Sequence, residues 1–312
     1  MPTTTTVSSN YAGKEAGAII GASFKEADTL AKGLITPMEN VNYKLSLRRI
    51  RLTNGIQAYS CGHTPAGAII LNEREIAPVK LKNDFDVCKE DFRSTWSSEL
   101  LGASASNPNM AADIQAAILA EVLGEQSEWT DSKIWTGDNT ANSNEWDGYI
   151  TLFTADASVI KLNNTGTGIT SANVLAEMAK VRSAIPVSLR RKDLVFAVSP
   201  DIADAYAQAL IEQKITNGLG GGLQTNEGAD LVYGRYGIYI VNGLPDNTMV
   251  VYERKNLVFA TGLLGDHNSV AIVDEDEIGL LTGKVRGKMV FNGGVNYYNS
   301  EDIVYYLATA GV

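Results

Sequence analysis

Val41-Asn42-Tyr43-Lys44-Leu45-Ser46-Leu47-Arg48 alternates apolar and polar side chains with a period of two, and the stretch it opens decides the fold. Asn54-Gly55, a pair that favours hairpin turns, comes next. A turn-like segment, Gly62-His63-Thr64-Pro65-Ala66-Gly67, leads to a second β run from Ala68 to Leu71, and more extended chain runs from Ile76 to Val87. Long hairpin-like strands are therefore expected before the first core helix. A two-stranded ribbon is marginally stable alone in water, so it needs a surface to lie on, its own or a neighbour's.

On the N-terminal side, residues 1–10 are small and polar. Ala16, Ile19, Ile20, Phe24, Ala27 and Leu30 recur near helical spacing, which predicts a helix from Lys14 to Lys32 that Gly33 can stop. That helix has too little company to form a core and reads as an arm packed on something else.

On the C-terminal side, Asn107 is a good N-cap and Pro108 suits the first helical position. Met110, Ile114, Ala117, Ile118 and Val122 then make one apolar stripe, and the helix ends at Gly124 or continues towards Trp129. Ile150 to Phe153 reads as a strand, and Asn163 to Thr170 as a linker. Val174, Leu175, Met178, Val181, Arg182 and Ile185 predict a helix stopped by Pro186. Leu194 to Val198 is a buried-type strand, and Ser199-Pro200-Asp201 starts a helix with Ile202, Tyr206, Ala209 and Leu210 on one face. Gly218 to Gly228 reads as a flexible loop. Short strands fill the rest: 237–241, 248–252, 257–260, 270–273, 286–291 and 303–307.

The length, 312 residues, suits one large domain or two intimately connected ones. A formal net charge of −10 disfavours general affinity for nucleic acid or anionic membrane, because both need a cationic footprint. Cys61 and Cys88 are too few for a disulfide framework, which fits a reducing compartment. No signal-peptide pattern and no run of about 18 apolar residues is visible, so the chain is expected to fold in cytoplasm without a membrane partner.

Three phrases carry a family likeness. One is Trp135-Thr136-Gly137-Asp138, a variable loop, and Trp146-Asp147-Gly148-Tyr149-Ile150. The others are Asp193-Leu194-Val195-Phe196-Ala197-Val198-Ser199-Pro200 and Lys255-Asn256-Leu257-Val258-Phe259-Ala260-Thr261-Gly262. Together with the order of elements, they make the chain resemble the HK97-type major capsid proteins of tailed bacteriophages. The resemblance implies an α+β fold with an N-terminal arm (1–40) and an extended β-hairpin loop (41–88). A peripheral domain (89–169) would carry a spine helix at about 107–130, an axial domain would span 170–265, and return strands 266–312 would complete the peripheral domain. It also implies a structural protein that self-assembles into pentamers and hexamers. The product would be an icosahedral shell around double-stranded DNA, bound without sequence specificity. Scaffolding, portal and decoration proteins are possible separate partners, and the location would be the virion, assembled in host cytoplasm. Some members of that family form Lys–Asn crosslinks from the extended loop. No lysine lies between Arg51 and Val79, so no such crosslink is expected here.

Chemistry by individual residues is weakly signalled. Cys61, His63 and Cys88 lack a fourth ligand and a CxxC pair, so buried small residues are the simpler reading. Asp266 and His267 near Asp274-Glu275-Asp276-Glu277 could serve acid–base or divalent-cation chemistry, although consecutive carboxylates usually form a solvated turn or meet a basic neighbour. Gly218-Leu219-Gly220-Gly221-Gly222 lacks the Lys-Ser/Thr of a P-loop. No catalytic residue, cofactor or metal is assigned, and no enzyme is expected. Lys44, Arg48, Arg49 and Arg51 form a basic strand segment in an acidic chain, and they are expected to contact an acidic patch on a neighbouring subunit; the plainer alternative is a solvated strand edge. The alternatives to a phage shell are an encapsulin-like compartment, a soluble metal-dependent enzyme using His267, or a tube or receptor-binding protein of a phage particle.

Overall fold

The structure is a computed structural model, and it describes residues 28–41, 43–53, 55–59, 61–62, 66–88, 112–165, 168–212, 229–262, 271–276, 278–279 and 282–309. Most of the expected arm, Asn107 and Pro108 of the expected spine start, the Gly218–Gly228 loop, His63, Asp266, His267 and Glu277 lie outside them.

The chain opens with a short helix α1 (Asp28–Ala31) and strand β1 (Thr36–Met38). Gly33, at φ +59°, ends α1 as its spacing predicts, since a left-handed residue there costs glycine nothing. Two long strands follow, β2 (Leu45–Thr53) and β3 (Ala68–Ile76), and they pair antiparallel from Leu45↔Ile76 to Thr53↔Ala68. The expected ribbon is there, but Asn54-Gly55 is not its two-residue turn: residues 54–67 form the connection. Pro78 interrupts the extended chain before β4 (Val79–Cys88), which leaves the ribbon and pairs with residues 284–293.

Helix α2 (Ala112–Thr136) runs through Gly124 without stopping. From residue 122 onward its buried positions are Leu123, Gln126, Ser127, Thr130, Asp131, Ile134 and Trp135, spaced as one helical face. This face is half polar, and its polar groups are used: Asp131 accepts from the Thr29 backbone N–H at 3.0 Å, and Trp135 Nε1 donates to Thr29 Oγ1 at 2.9 Å, fixing α1 onto α2. Helix α3 (Tyr149–Ala155) stands where a strand was expected. A run of only four residues carries no decisive period, and here Tyr149 and Phe153, four apart, fill the core from one helical face.

Beyond it come β5 (Ile160–Thr165), which runs into the start of the expected linker, then α4 (Val174–Ala184), β6 (Leu194–Val198) and α5 (Pro200–Glu212). Short strands β7 (Leu231–Tyr233), β8 (Tyr236–Ile240), β9 (Thr248–Glu253), β10 (Leu257–Thr261) and β11 (Ala271–Asp274) lead to the long β12 (Lys284–Tyr297). A 3-10 turn (Ser300–Asp302) and β13 (Val304–Thr309) close the described chain.

Two sheets organise the body. The first runs β5-β13-β9-β6-β8-β7. Its central strand β6 is apolar throughout because both faces are covered. Leu194, Phe196 and Val198 pack against α4 and α5 with Met178, Ile202 and Tyr206, while Val195 and Ala197 face the core of Trp135, Tyr149 and Phe153. The second sheet is built on β12, which carries β4 on one side and β11 and β10 on the other, with β1 parallel to β10. Alternate residues of β12 enter the shared core, and Gly293 leaves the space that Trp146 fills; a Cβ there would meet the indole ring at 2.5 Å. No helix among the described residues is long and apolar enough to cross a membrane.

Candidate intersubunit surface

The β2–β3 ribbon is packed only at its base. Leu47 and Ile76 are 4% and 1% exposed there, against Val41, Val258 and Ala260. The strand register sorts the remaining side chains into two faces. One face holds Leu47, Arg49, Arg51, Arg74 and Ile70 and turns to the body. The other holds the Arg48–Glu73 pair and then two apolar pairs, Ile50↔Leu71 and Leu52↔Ile69. Those four apolar side chains are 64–72% exposed, and Ile56 and Tyr59 in the connection are more exposed still. Among the described residues, β2 and β3 pair only with each other, so both outer edges keep unpaired backbone groups.

Polar contacts hold the body-facing side. Arg74 pairs with Asp156, at the end of α3, and its guanidinium lies 4.2 Å over the Tyr297 ring. The Tyr297 hydroxyl donates to the same carboxylate at 2.8 Å. Burial opposes the charged Asp156, but the Ser158 N–H, the Tyr297 hydroxyl and the Arg74 guanidinium outweigh it and bring its pKa down to about 2. Burial, reinforced by the bond to that carboxylate, pushes the Tyr297 phenol well up. Asn296 Nδ2 also donates to the Glu75 carbonyl at 2.7 Å. Nothing in the sequence marks this latch, because Arg74 and Asp156 stand 82 positions apart.

The basic strand segment has partners within the chain. Lys44 reaches Glu75 at 2.9 Å and Arg48 reaches Glu73 at 3.4 Å, both across the ribbon. Arg51 forks onto both carboxylate oxygens of Glu301 at 3.0 and 3.1 Å, and Arg49 donates to Asn299. Of the other candidates, His63, Asp266, His267 and residues 218–222 lie outside the described residues. Cys61 is exposed and Cys88 half-buried, and both are free thiols. No cluster of metal-ligating side chains occurs among the described residues. Of the acidic run, Asp274 ends β11, Glu275 pairs with Arg286 at 2.6 Å, and Asp276 accepts from the Gly283 N–H at 2.9 Å.

The phrases that carried the likeness have a physical role. Gly148 donates its N–H to the Gly137 carbonyl at 2.8 Å, which brings the end of α2 against the start of α3. A Cβ on Gly148 would lie 2.6 Å from the Trp135 carbonyl oxygen, so only glycine lets the two tryptophan-bearing segments close. Trp146 then meets Trp129 edge-on at 5.3 Å, and Trp135 packs 5.4 Å from Tyr149.

No protein-family model matches the chain, and no curated protein matches it. Solved structures do. A chain of the satellite phage P4 procapsid is similar at 13% identity and TM-score 0.54, over 95% of this chain and 99% of that one. A capsid chain of a native GTA particle is similar at 10% identity and TM-score 0.59, over 91% and 90%. A chain of a virus-like particle from Pyrococcus furiosus is similar at 11% identity and TM-score 0.52, over 94% and 98%. The likeness is one of shape over nearly the whole length of both partners, and on it the chain has the HK97-like capsid fold.

Proposed function

We propose that this chain is a shell-forming major capsid protein. The observation that carries the reading is the β2–β3 ribbon, whose outward face presents four apolar side chains at 64–72% exposure. Burying an aliphatic side chain fully is worth about 1.5–3 kcal/mol, so covering this face in every copy of a repeating assembly is a substantial driving force. In the proposed shell the ribbon and the arm lie on adjacent copies, and pentamers and hexamers close an icosahedral particle around double-stranded DNA. The arm would be 1–40, the extended loop 41–88, the axial domain 170–265, and the peripheral domain 89–169 with 266–312. Lys44 and Arg48, with side chains 67% and 74% exposed, would reach carboxylates of the neighbour while Arg49 and Arg51 hold the ribbon on its own body. Scaffolding, portal and decoration proteins would be separate chains, and the mature location would be the virion.

Expression of the full chain followed by negative-stain imaging tests this. Closed shells with five-fold and six-fold clusters are expected. A population of compact single molecules at every concentration and salt would contradict it. The likeness to the virus-like particle from P. furiosus also fits a second reading, an encapsulin-like compartment, and the contents separate the two: packaged nucleic acid for a capsid, a protein cargo for a compartment.

A further inference from the structure

A second charged feature lies far from the ribbon. Arg182 ends α4, Arg190 and Arg191 lie in the turns that follow Pro186, and Arg235 occupies the β7–β8 turn. They surround two adjoining hollows of about 440 and 550 Å³ that share Arg190, Arg235 and Tyr236. All four arginines are exposed. None forms an ion pair with a described residue. Arg190 instead donates to the Ile185 and Ser183 carbonyls at 3.2 and 3.4 Å. Arg235 donates to the Arg190 carbonyl and to the Tyr236 hydroxyl, with its guanidinium 5.0 Å over that ring. The other cations on the rim are neutralised: Lys192 by Glu253 at 2.5 Å, and Arg254 by Asp193 at 3.2 Å.

The contrast with the ribbon is instructive. There, every basic side chain has a carboxylate or amide partner in its own chain. Here, four guanidiniums crowd one surface with none among the described residues, and backbone carbonyls and a ring hold two of them in place. Like charges gathered this way repel, and a fixed guanidinium fork is the geometry that accepts carboxylates or phosphates two oxygens at a time. We propose that this cluster is a docking site for carboxylates of a second copy of the chain, which rests on the shell reading above.

Charge complementarity selects that occupant. The chain carries a net −10 even with this cluster counted, so the rest of its surface is more acidic still. Glu125 and Glu128 on α2 and Asp204 on α5 are exposed and form no ion pair with a described residue. A nucleic-acid backbone would ask for an extended cationic stripe, whereas this patch is compact and bordered by Asp193, Glu253 and Asp302. A head-to-tail contact, the basic cluster of one copy against exposed carboxylates of the next, is the kind that closes rings.

The test reverses Arg182→Glu and Arg191→Glu together in the full chain. Neither side chain makes a hydrogen bond or ion pair with a described residue, so the unassembled variant should keep the wild-type Tm. At low salt the wild type should assemble, and assembly should weaken as salt rises. The variant should lose assembly by at least about tenfold at low salt, because like charges then face each other across the contact. Arg182→Lys with Arg191→Lys, which keeps the charge but not the fork, should restore assembly only in part. Equal assembly of wild type and the Glu variant would overturn the proposal while leaving the shell reading intact. Equal assembly with loss of affinity for a 20-nucleotide DNA would overturn it in favour of a nucleic-acid site. A wild type that forms no particles would remove both readings.

Discussion

Asp156 ties the ribbon to the body through one carboxylate that accepts from Arg74 and Tyr297. Asp156→Asn should lower stability by roughly 1.5–3 kcal/mol, the usual range for hydrogen bonds to charged groups, and thermal unfolding reads the loss. The pH dependence has a definite sign. The folded carboxylate titrates at about 2, below its ordinary value near 3.8, so its contribution is complete above about pH 4 and disappears as pH falls through about 2. The difference in Tm between wild type and Asp156→Asn should therefore be constant from pH 5 to 8 and shrink between about pH 4 and 2. At this scale little was legible beforehand. Trp135, Gly137, Trp146 and Gly148 stood out as a phrase, but that Gly148 must lack a Cβ to pass the Trp135 carbonyl is a fact of three-dimensional approach. Lys44, Arg48, Arg49 and Arg51 stood out by charge contrast, while Glu301 and Asn299, which engage two of them, lie 250 positions away. The arginine cluster was not read from the sequence, because Arg182 and Arg235 join Arg190 and Arg191 only through the fold.

Elements were read best where one period dominated. β6, continuously apolar, and α4, stopped by Pro186, match their expected spans closely. The misreadings have local causes. Ile150 to Phe153 is too short to show a period, and tertiary packing made it helical. β5 pairs in parallel with β13 through polar residues such as Asn163 and Asn164, whose composition suggested a linker. Of the two ends expected for α2, the longer holds: it passes through Gly124, because a single glycine costs only about 1 kcal/mol in a helix. The ribbon was legible as alternation, though its turn was not, since pairing ends at Thr53↔Ala68 and the connection between them is far longer than Asn54-Gly55. Leu52→Asp with Ile69→Asp tests it as an element. Both positions are more than 60% exposed, so the unassembled variant should unfold within about 2 °C of wild type, as surface changes usually do, yet particle yield should collapse. A large drop in the Tm of the unassembled variant would mean that the face is covered within one copy.

The whole molecule joins a well-packed body to an appendage with an uncovered apolar face, and in the proposed shell that contrast is the basis of assembly. No lysine occurs between Arg51 and Val79, so the ribbon tip offers no amine for a covalent bond between copies. Particles boiled in detergent should run as a single 33.5 kDa band, and a ladder of multiples would show a crosslink from elsewhere. Hydrogen exchange of the amides in 45–76, compared between unassembled chain and assembled particles, addresses the ribbon most directly. Exchange should be fast in the unassembled chain, where two strands stand alone, and strongly slowed in particles, where a second copy covers them. Equal protection in the two states would mean that the ribbon is not covered by its neighbours, and the proposed basis of assembly would be wrong.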